Sequence, residues 1–272
     1  MSEEKEMTFL DHLEELRWHI IRSAFAILVF TVAAFILAPW IFNNIIFAPA
    51  RPDFIFYDWM CHLGKLTGNE ETLCVKEIPF KIQSRYMTGQ FMMHVTASLV
   101  MGLVLAFPYV AWEIWRFVKP GLLKNERRYA RGAVFFISLL FFTGVAFGYF
   151  VMSPVAVYFL STYSISDLIV NEFDITSYVS TMVTLVLGSG LLFQLPVVVY
   201  FLTRIGMLTP DFMRTNRKYA IVIILIIAAI ITPPDPFSQT MIAIPLFLLY
   251  EISILISAYV VRQKRKQEAL EN

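Results

Sequence analysis

Ala228–Ala243 reads AAIITPPDPFSQTMIA, apolar at both ends and polar across Thr232–Gln239, which holds three prolines, an aspartate, a serine and a glutamine. Twelve unbroken apolar residues, Ala220–Ile231, precede that polar break, and a second apolar run, about Met241–Val261, follows it. Whether the break joins two membrane helices or two buried helices of a soluble protein decides the fold. The rest of the chain answers: 58% of its 272 residues are hydrophobic and 16% are charged. Apolar runs approaching the ~20 residues of a membrane helix recur. The sequence also offers too few polar helix faces to shield so large an apolar core from water. The chain reads as an all-α membrane protein.

Six spans can be marked: Ser23–Ile46, Phe91–Trp112, Ala133–Met152, Tyr178–Phe201, Ala220–Ile231 and Met241–Val261. With both ends inside, 17 Lys and Arg fall on the inner side and 5 on the outer. That asymmetry favours cytoplasmic termini. The expected organisation is a single six-span membrane domain over 1–272. It has an amphipathic cytoplasmic amino end (1–22), an outer, periplasmic loop (47–90) and a basic cytoplasmic tail (262–272). Cys61 and Cys74 lie in the outer loop, compatible with a disulfide in an oxidising compartment or with two unpaired thiols.

Spans 5 and 6 read as short. Ala220–Ile231 covers about 18 Å at ~1.5 Å per residue, against a hydrocarbon core of about 30 Å. Glu251 interrupts span 6 ten residues from its start. Pro233 and Pro234 supply no backbone donors, so span 5 should stop at about Thr232. Asp235 or Ser238 can cap span 6, Pro236 suits its first turn, and Gln239 should sit near its amino-terminal amides. Thr232, Asp235 and Gln239 then form either an ordinary outer turn or a polar contact patch at reduced depth.

Polar groups inside the apolar runs are few. Gln194, two residues before Pro196, needs a partner helix or a shallow water-filled recess, and the proline predicts a kink there. Glu251 would be costly near the bilayer centre without a partner or water, which favours a structural or recess role. Pro108 and Pro154 also shape helix paths, and Gly144 with Gly148 (GVAFG) offers a small face for close helix contact.

Several functions are disfavoured. A net charge of +1 makes no case for nucleic acid, and four His with two Cys are too scattered for a metal site. No phosphate loop or nucleophile elbow is present. His94 stands alone in span 2, so no catalytic arrangement, and no cofactor, is expected. A small-solute secondary transporter, the alternative reading, would show repeated halves and acids near the midplane. Here the halves show no clear repeat. Glu3, Glu4 and Glu6 make a poor start for a cleavable signal peptide.

The more informative acids lie on the cytoplasmic side. In TFLDHLEELRWHIIR, Thr8 and Asp11 resemble a capping box, and Phe9, Leu13, Leu16 and Ile20 form one apolar stripe. An amphipathic helix should lie at the interface and turn into span 1. Asp11 and Glu15 stand i,i+4 and repel mildly, so a cation from elsewhere would be welcome. In EIWRFVKPGLLKNERRYAR, Pro120–Gly121 breaks the helix and Glu126 precedes Arg127 and Arg128. Glu15 and Glu126 together would suit a peptide bearing paired arginines, whose guanidinium forks match carboxylates.

HLEELR, FVKPGLLKNERR, GVAFGYFVMSPVA and ITPPDPFSQTMIAIP, in this order and spread from about Thr8 to Val261, resemble the twin-arginine protein translocase subunit TatC family. The resemblance implies a six-helix, concave, glove-like bundle in the bacterial inner membrane, with both ends cytoplasmic. It implies a signal-peptide receptor and core subunit for export of folded proteins, driven by the proton-motive force. Expected partners are precursors with twin-arginine signals, single-span TatA-like and TatB-like proteins, other copies of the chain, and membrane lipid. Glu15 and Glu126 match the family's signal-binding acids, and Arg17, Phe117, Pro120 and Arg127 match the same surface. Pro49 matches the proline after span 1. Thr232, Asp235 and Gln239 match the outer turn where a partner helix is thought to dock. Many relatives carry glutamate where this chain has Gln194, which hydrogen-bonds but cannot titrate.

Overall fold

The computed structural model describes residues 9–68, 74, 75, 77, 78, 80–118, 130–166, 168–232 and 236–271. They form a helical protein. The helices are α1 (Phe9–Ile36), α2 (Ala38–Ile41), α3 (Ile55–Thr67), α4 (Gly89–Val118), α5 (Ala130–Phe147), α6 (Ser153–Thr162), α7 (Ile175–Leu192), α8 (Leu195–Arg204), α9 (Pro210–Thr215), α10 (Arg217–Ile231) and α11 (Pro236–Glu271). Two short strands, β1 (Lys81–Gln83) and β2 (Glu172–Asp174), pair in parallel with Lys81 opposite Glu172. The chain divides into two compact units, one of Met1–Ile41 with Phe91–Leu139, the other of Phe42–Gln90 with Leu140–Asn272.

Among the described residues, five segments are long and apolar enough to cross a membrane: Glu14–Ile36, Gly89–Val118, Gly132–Thr162, Ile175–Arg204 and Ser238–Arg265. The fifth expected span is α10, at 15 residues too short to join them. It ends at Ile231, where the proline-rich turn begins. The chain is a multi-pass membrane protein.

In the first unit, α1 packs on α4. A Cβ on Gly102 would come within 2.6 Å of the Thr31 backbone nitrogen, so the two helices approach main chain to main chain. His94 stacks on Phe35 at 3.9 Å and its Nε2 lies 3.0 Å from the Phe35 carbonyl oxygen, which gives this lone histidine a local role. The amino-terminal amphipathic stretch does not form a separate element that turns into span 1. With no glycine or proline between Phe9 and Ile36, one helix runs through both.

In the second unit, Met152, Ala156, Leu185, Ile224, Ala228, Ile242 and Leu246 form the core. In lipid, burying apolar surface contributes little between helices, so close backbone approach matters more. Gly144 and Gly148 provide it, facing Ser189–Gly190 and Leu185–Val186 of α7. A π-helical turn, Gly148–Met152, joins α5 to α6, and the Ser153 hydroxyl donates to the Gly148 carbonyl at 2.8 Å. This irregular turn lets the helix pass Pro154, which lacks the N–H of a regular ladder. The predicted kink lies at Phe193–Gln194, between α7 and α8, where Pro196 interrupts the ladder.

The segment between α2 and α4 is held by tyrosines and a disulfide. Cys61 and Cys74 are bonded. The Tyr149 and Tyr178 hydroxyls donate to the Ile45 and Ile46 carbonyls at 2.9 and 2.8 Å, serving the irregular turn Phe42–Ile46. Asp174 caps α7 through the Thr176 amide and takes the Arg85 amide at 2.8 Å. The Thr176 hydroxyl, then these backbone donors, hold its carboxyl below the usual range.

The sixth span is not short. Helix α11 runs 36 residues without a break at Glu251 and on through the basic tail. Glutamate forms helix well, the tail RQKRKQEALE is rich in helix formers, and the Arg217 guanidinium pairs with Glu251 at 2.7 Å. The second span is also longer than Phe91–Trp112. Helix α4 continues to Val118 and carries Glu113 inside it, not in the loop that follows.

Candidate functional site

Helices α1 and α4 of the first unit meet around a buried histidine–carboxylate contact. His19, on α1, is 6% exposed and Glu113, on α4, is 1% exposed. Nδ1 of His19 is in direct contact with Oε2 of Glu113. The other carboxylate oxygen of Glu113 lies 3.7 Å from the Arg116 guanidinium, and Tyr109 faces the same group. Arg116 covers the Trp112 ring at 4.9 Å. Tyr109, Glu113, Arg116 and Phe117 fall on one face of α4 by their spacing.

The imidazole has a second acidic neighbour. Its Nε2 stands 3.9 Å from Oε1 of Glu15, one turn earlier on α1, whose side chain is 37% exposed. Phe117 meets the His19 ring edge-on, with centroids 6.1 Å apart. The imidazole of His19 therefore lies between the buried Glu113 and the accessible Glu15. Glu15 is the member of this group that can meet a cation from outside.

Of the sequence-expected recognition residues, Glu15 and Phe117 belong to this cluster, and Arg17 is exposed on α1. Pro120, Glu126 and Arg127 lie outside the described residues, and with them the expected approach of Glu126 to Glu15. His19 and Glu113 were not singled out from sequence. The available signal was Glu113 in YVAWEIWRF, an acid one turn short of the end of an apolar helix, with a histidine four residues after Glu15.

The second group lies in the other unit. Gln194 is half-buried at the start of α8, followed by the buried Pro196. The Thr232 hydroxyl donates to the Ala228 carbonyl at 2.9 Å. Gln239 does not serve the amides of its own helix. Its Nε2 donates across to the Leu225 carbonyl of α10 at 3.1 Å, because α11 packs along α10. Asp235 lies outside the described residues. Pro49 is buried, and its carbonyl accepts from Tyr57 at 3.0 Å. Among the described residues, no group of three or more His, Cys, Asp or Glu is placed to hold a metal.

Comparison with known proteins gives one consistent result. The family described as Sec-independent protein translocase protein (TatC) matches residues 11–245. The chain is 39% identical over 264 residues to the TatC protein of Blattabacterium sp. subsp. Periplaneta americana, covering 97% of this chain and 99% of that one. It is 36% identical to TatCy of Bacillus subtilis over 97% of this chain and 94% of the relative. A crystal structure of the twin-arginine translocase receptor TatC matches with a TM-score of 0.71 and 31% identity, over 92% of this chain and 99% of that one.

Proposed function

The chain belongs to the TatC family of Sec-independent protein translocase proteins, and from that premise we propose that Glu15, with Glu126, receives the paired arginines of a client's signal peptide. Its function is that of a core subunit of the twin-arginine translocase, a non-catalytic component of protein transport. In the proposed recognition, Arg17, Phe117, Pro120 and Arg127 complete the docking surface, and the client's hydrophobic segment then follows the membrane helices toward Gln194. Gln194, Thr232, Asp235, Gln239 and Glu251 serve partner docking and the polar lining of the spans. The partners are TatA-like and TatB-like single-span proteins, further copies of the chain and surrounding lipid. The topology that suits this is six spans in the inner membrane, α10 being the short one, with both termini cytoplasmic. The proton-motive force drives transport.

The observation that carries the recognition step is the half-exposed Glu15 carboxylate, one turn from the buried His19–Glu113 contact that Phe117 flanks. A carboxylate accessible in this way can offer a guanidinium fork two hydrogen bonds. Photocrosslinking from position 126 to a signal peptide tests the reading. An Arg-Arg peptide should label strongly and its Lys-Lys counterpart weakly, and Glu126→Ala should reduce capture of precursor while leaving membrane insertion intact. Equal labelling of the two peptides contradicts arginine recognition.

A further inference from the structure

We propose that α3 is an interfacial anchor, seated in lipid at the boundary between headgroups and acyl chains through Ile55, Trp59 and Leu66. On the proposed topology that lipid is the outer leaflet. A loop helix packed on a protein and bathed in water needs two faces, and α3 has three. Tyr57, Cys61 and Gly64 make the face turned toward the protein, with Tyr57 and Gly64 buried and Cys61 half-buried. Asp58, His62 and Lys65 make an exposed polar face. Ile55, Trp59 and Leu66 make the third, apolar face, and they are 63%, 66% and 74% exposed.

The depth of α3 says what covers that face. The Tyr57 hydroxyl donates to the Pro154 carbonyl, and Pro154 lies inside the membrane-crossing segment Gly132–Thr162. Its 31 residues reach about 46 Å at ~1.5 Å per residue, so about 8 Å projects from each side of a ~30 Å hydrocarbon core when the excess is shared equally. The Pro154 carbonyl stands about 12 Å from the Thr162 end, which leaves it about 4 Å inside the acyl boundary. Phe54, the residue that opens α3, stacks on Phe150 with centroids 6.1 Å apart. Phe150 is itself exposed on the same crossing segment. The lipid-facing surface of the span therefore continues onto α3. At 13 residues, about 20 Å, α3 is too short to cross and can only lie at the boundary.

The side chains suit that place. A tryptophan among aliphatic residues buries its ring while its N–H reaches the headgroups. Lys65 can lay its stem along the apolar face and keep its ammonium in water. Asp58 in the first turn and Lys65 in the last complement the helix dipole, and Gly68, at φ 74°, closes the helix. Seated in this way, α3 holds the Cys61–Cys74 bond and the Tyr57–Pro154 link at a fixed depth in the membrane.

The test is fluorescence quenching from five full-length variants, Ile55→Cys, Trp59→Cys, Leu66→Cys, Asp58→Cys and Lys65→Cys, with the native disulfide intact. Each is labelled with bimane and reconstituted at one copy per nanodisc of phosphatidylethanolamine and phosphatidylglycerol. All five side chains are exposed, so the label displaces nothing packed. Labels at 55, 59 and 66 should be quenched by a lipid nitroxide near the top of the acyl chain. Aqueous iodide should quench them several-fold less than labels at 58 and 65. Equal iodide quenching at all five positions would place α3 in water and overturn the anchor. Shielding of 55, 59 and 66 from both quenchers would mean that protein covers the face, and would overturn it too. A chain inserted the other way round gives the same pattern, so the anchor and the proposed topology fail separately.

Discussion

Tyr57 is 1% exposed, and its one hydroxyl proton is shared between the Pro49 and Pro154 carbonyls at 3.0 and 2.9 Å. Burial, and secondarily the nearby Tyr158, raise its phenol well above the usual range, so it remains a neutral donor at any physiological pH. Tyr57→Phe keeps the ring and removes the donor from two buried acceptors, which costs about 1–3 kcal/mol. The thermal unfolding midpoint of the purified protein should fall accordingly, and an unshifted midpoint would mean that the carbonyls have another donor. Nothing in the sequence marked this residue. Its partners stand 8 and 97 positions away, and a tyrosine in an amphipathic helix carries no sign of what its hydroxyl meets. His19 and Glu113, 94 positions apart, were hidden for the same reason. Local pattern reports what a side chain is, and only the packing of helices reports what it faces.

At the level of helices, much more was legible, because the breaks are written in local chemistry. The proline-rich run ends α10 at Ile231, Pro196 follows the break at Phe193–Gln194, and GVAFG meets α7. The end of α11 was not legible. An acid amid apolar residues looks like an interruption unless its cation, Arg217, is known to lie beside it. The glycine contact supports a sharp expectation. A Cβ on Gly144 would stand 2.6 Å from the Ser189 carbonyl oxygen and 2.9 Å from the Gly190 Cα, both backbone atoms that cannot swing aside. Gly144→Ala must therefore part α5 from α7, and overpacking of this kind costs about 1–3 kcal/mol. Gly132→Ala, on the same helix but with nothing within 4 Å, is the matched control and should be neutral or slightly stabilising. Equal thermal stability of the two variants would show that the α5–α7 contact yields freely.

For the molecule in its membrane, the consequential feature is the length of α10. Its 15 residues reach about 22 Å at ~1.5 Å per residue, leaving a deficit of about 8 Å against a ~30 Å hydrocarbon core. Either the turn after it is immersed in lipid, or the bilayer is drawn in to meet it. The two costs differ. Mismatch costs a fraction of a kcal/mol per Å, so the full deficit amounts to about a few kcal/mol. Immersing the last carbonyls of a helix and the polar sequence that follows them costs several kcal/mol for each unsatisfied group. The Thr232 and Gln239 side chains bond to the Ala228 and Leu225 carbonyls, which the helical ladder of α10 already serves, so they do not lower that penalty. With α10 as the proposed short span, thinning is the expected outcome over immersion. A nitroxide at Ile230, which is 74% exposed near the end of α10, should then collide with a water-soluble nickel chelate about as often as one at Tyr163, just past the end of α6. If collisions at Ile230 are instead dominated by oxygen, with the chelate excluded, the turn lies in hydrocarbon and the bilayer is not thinned.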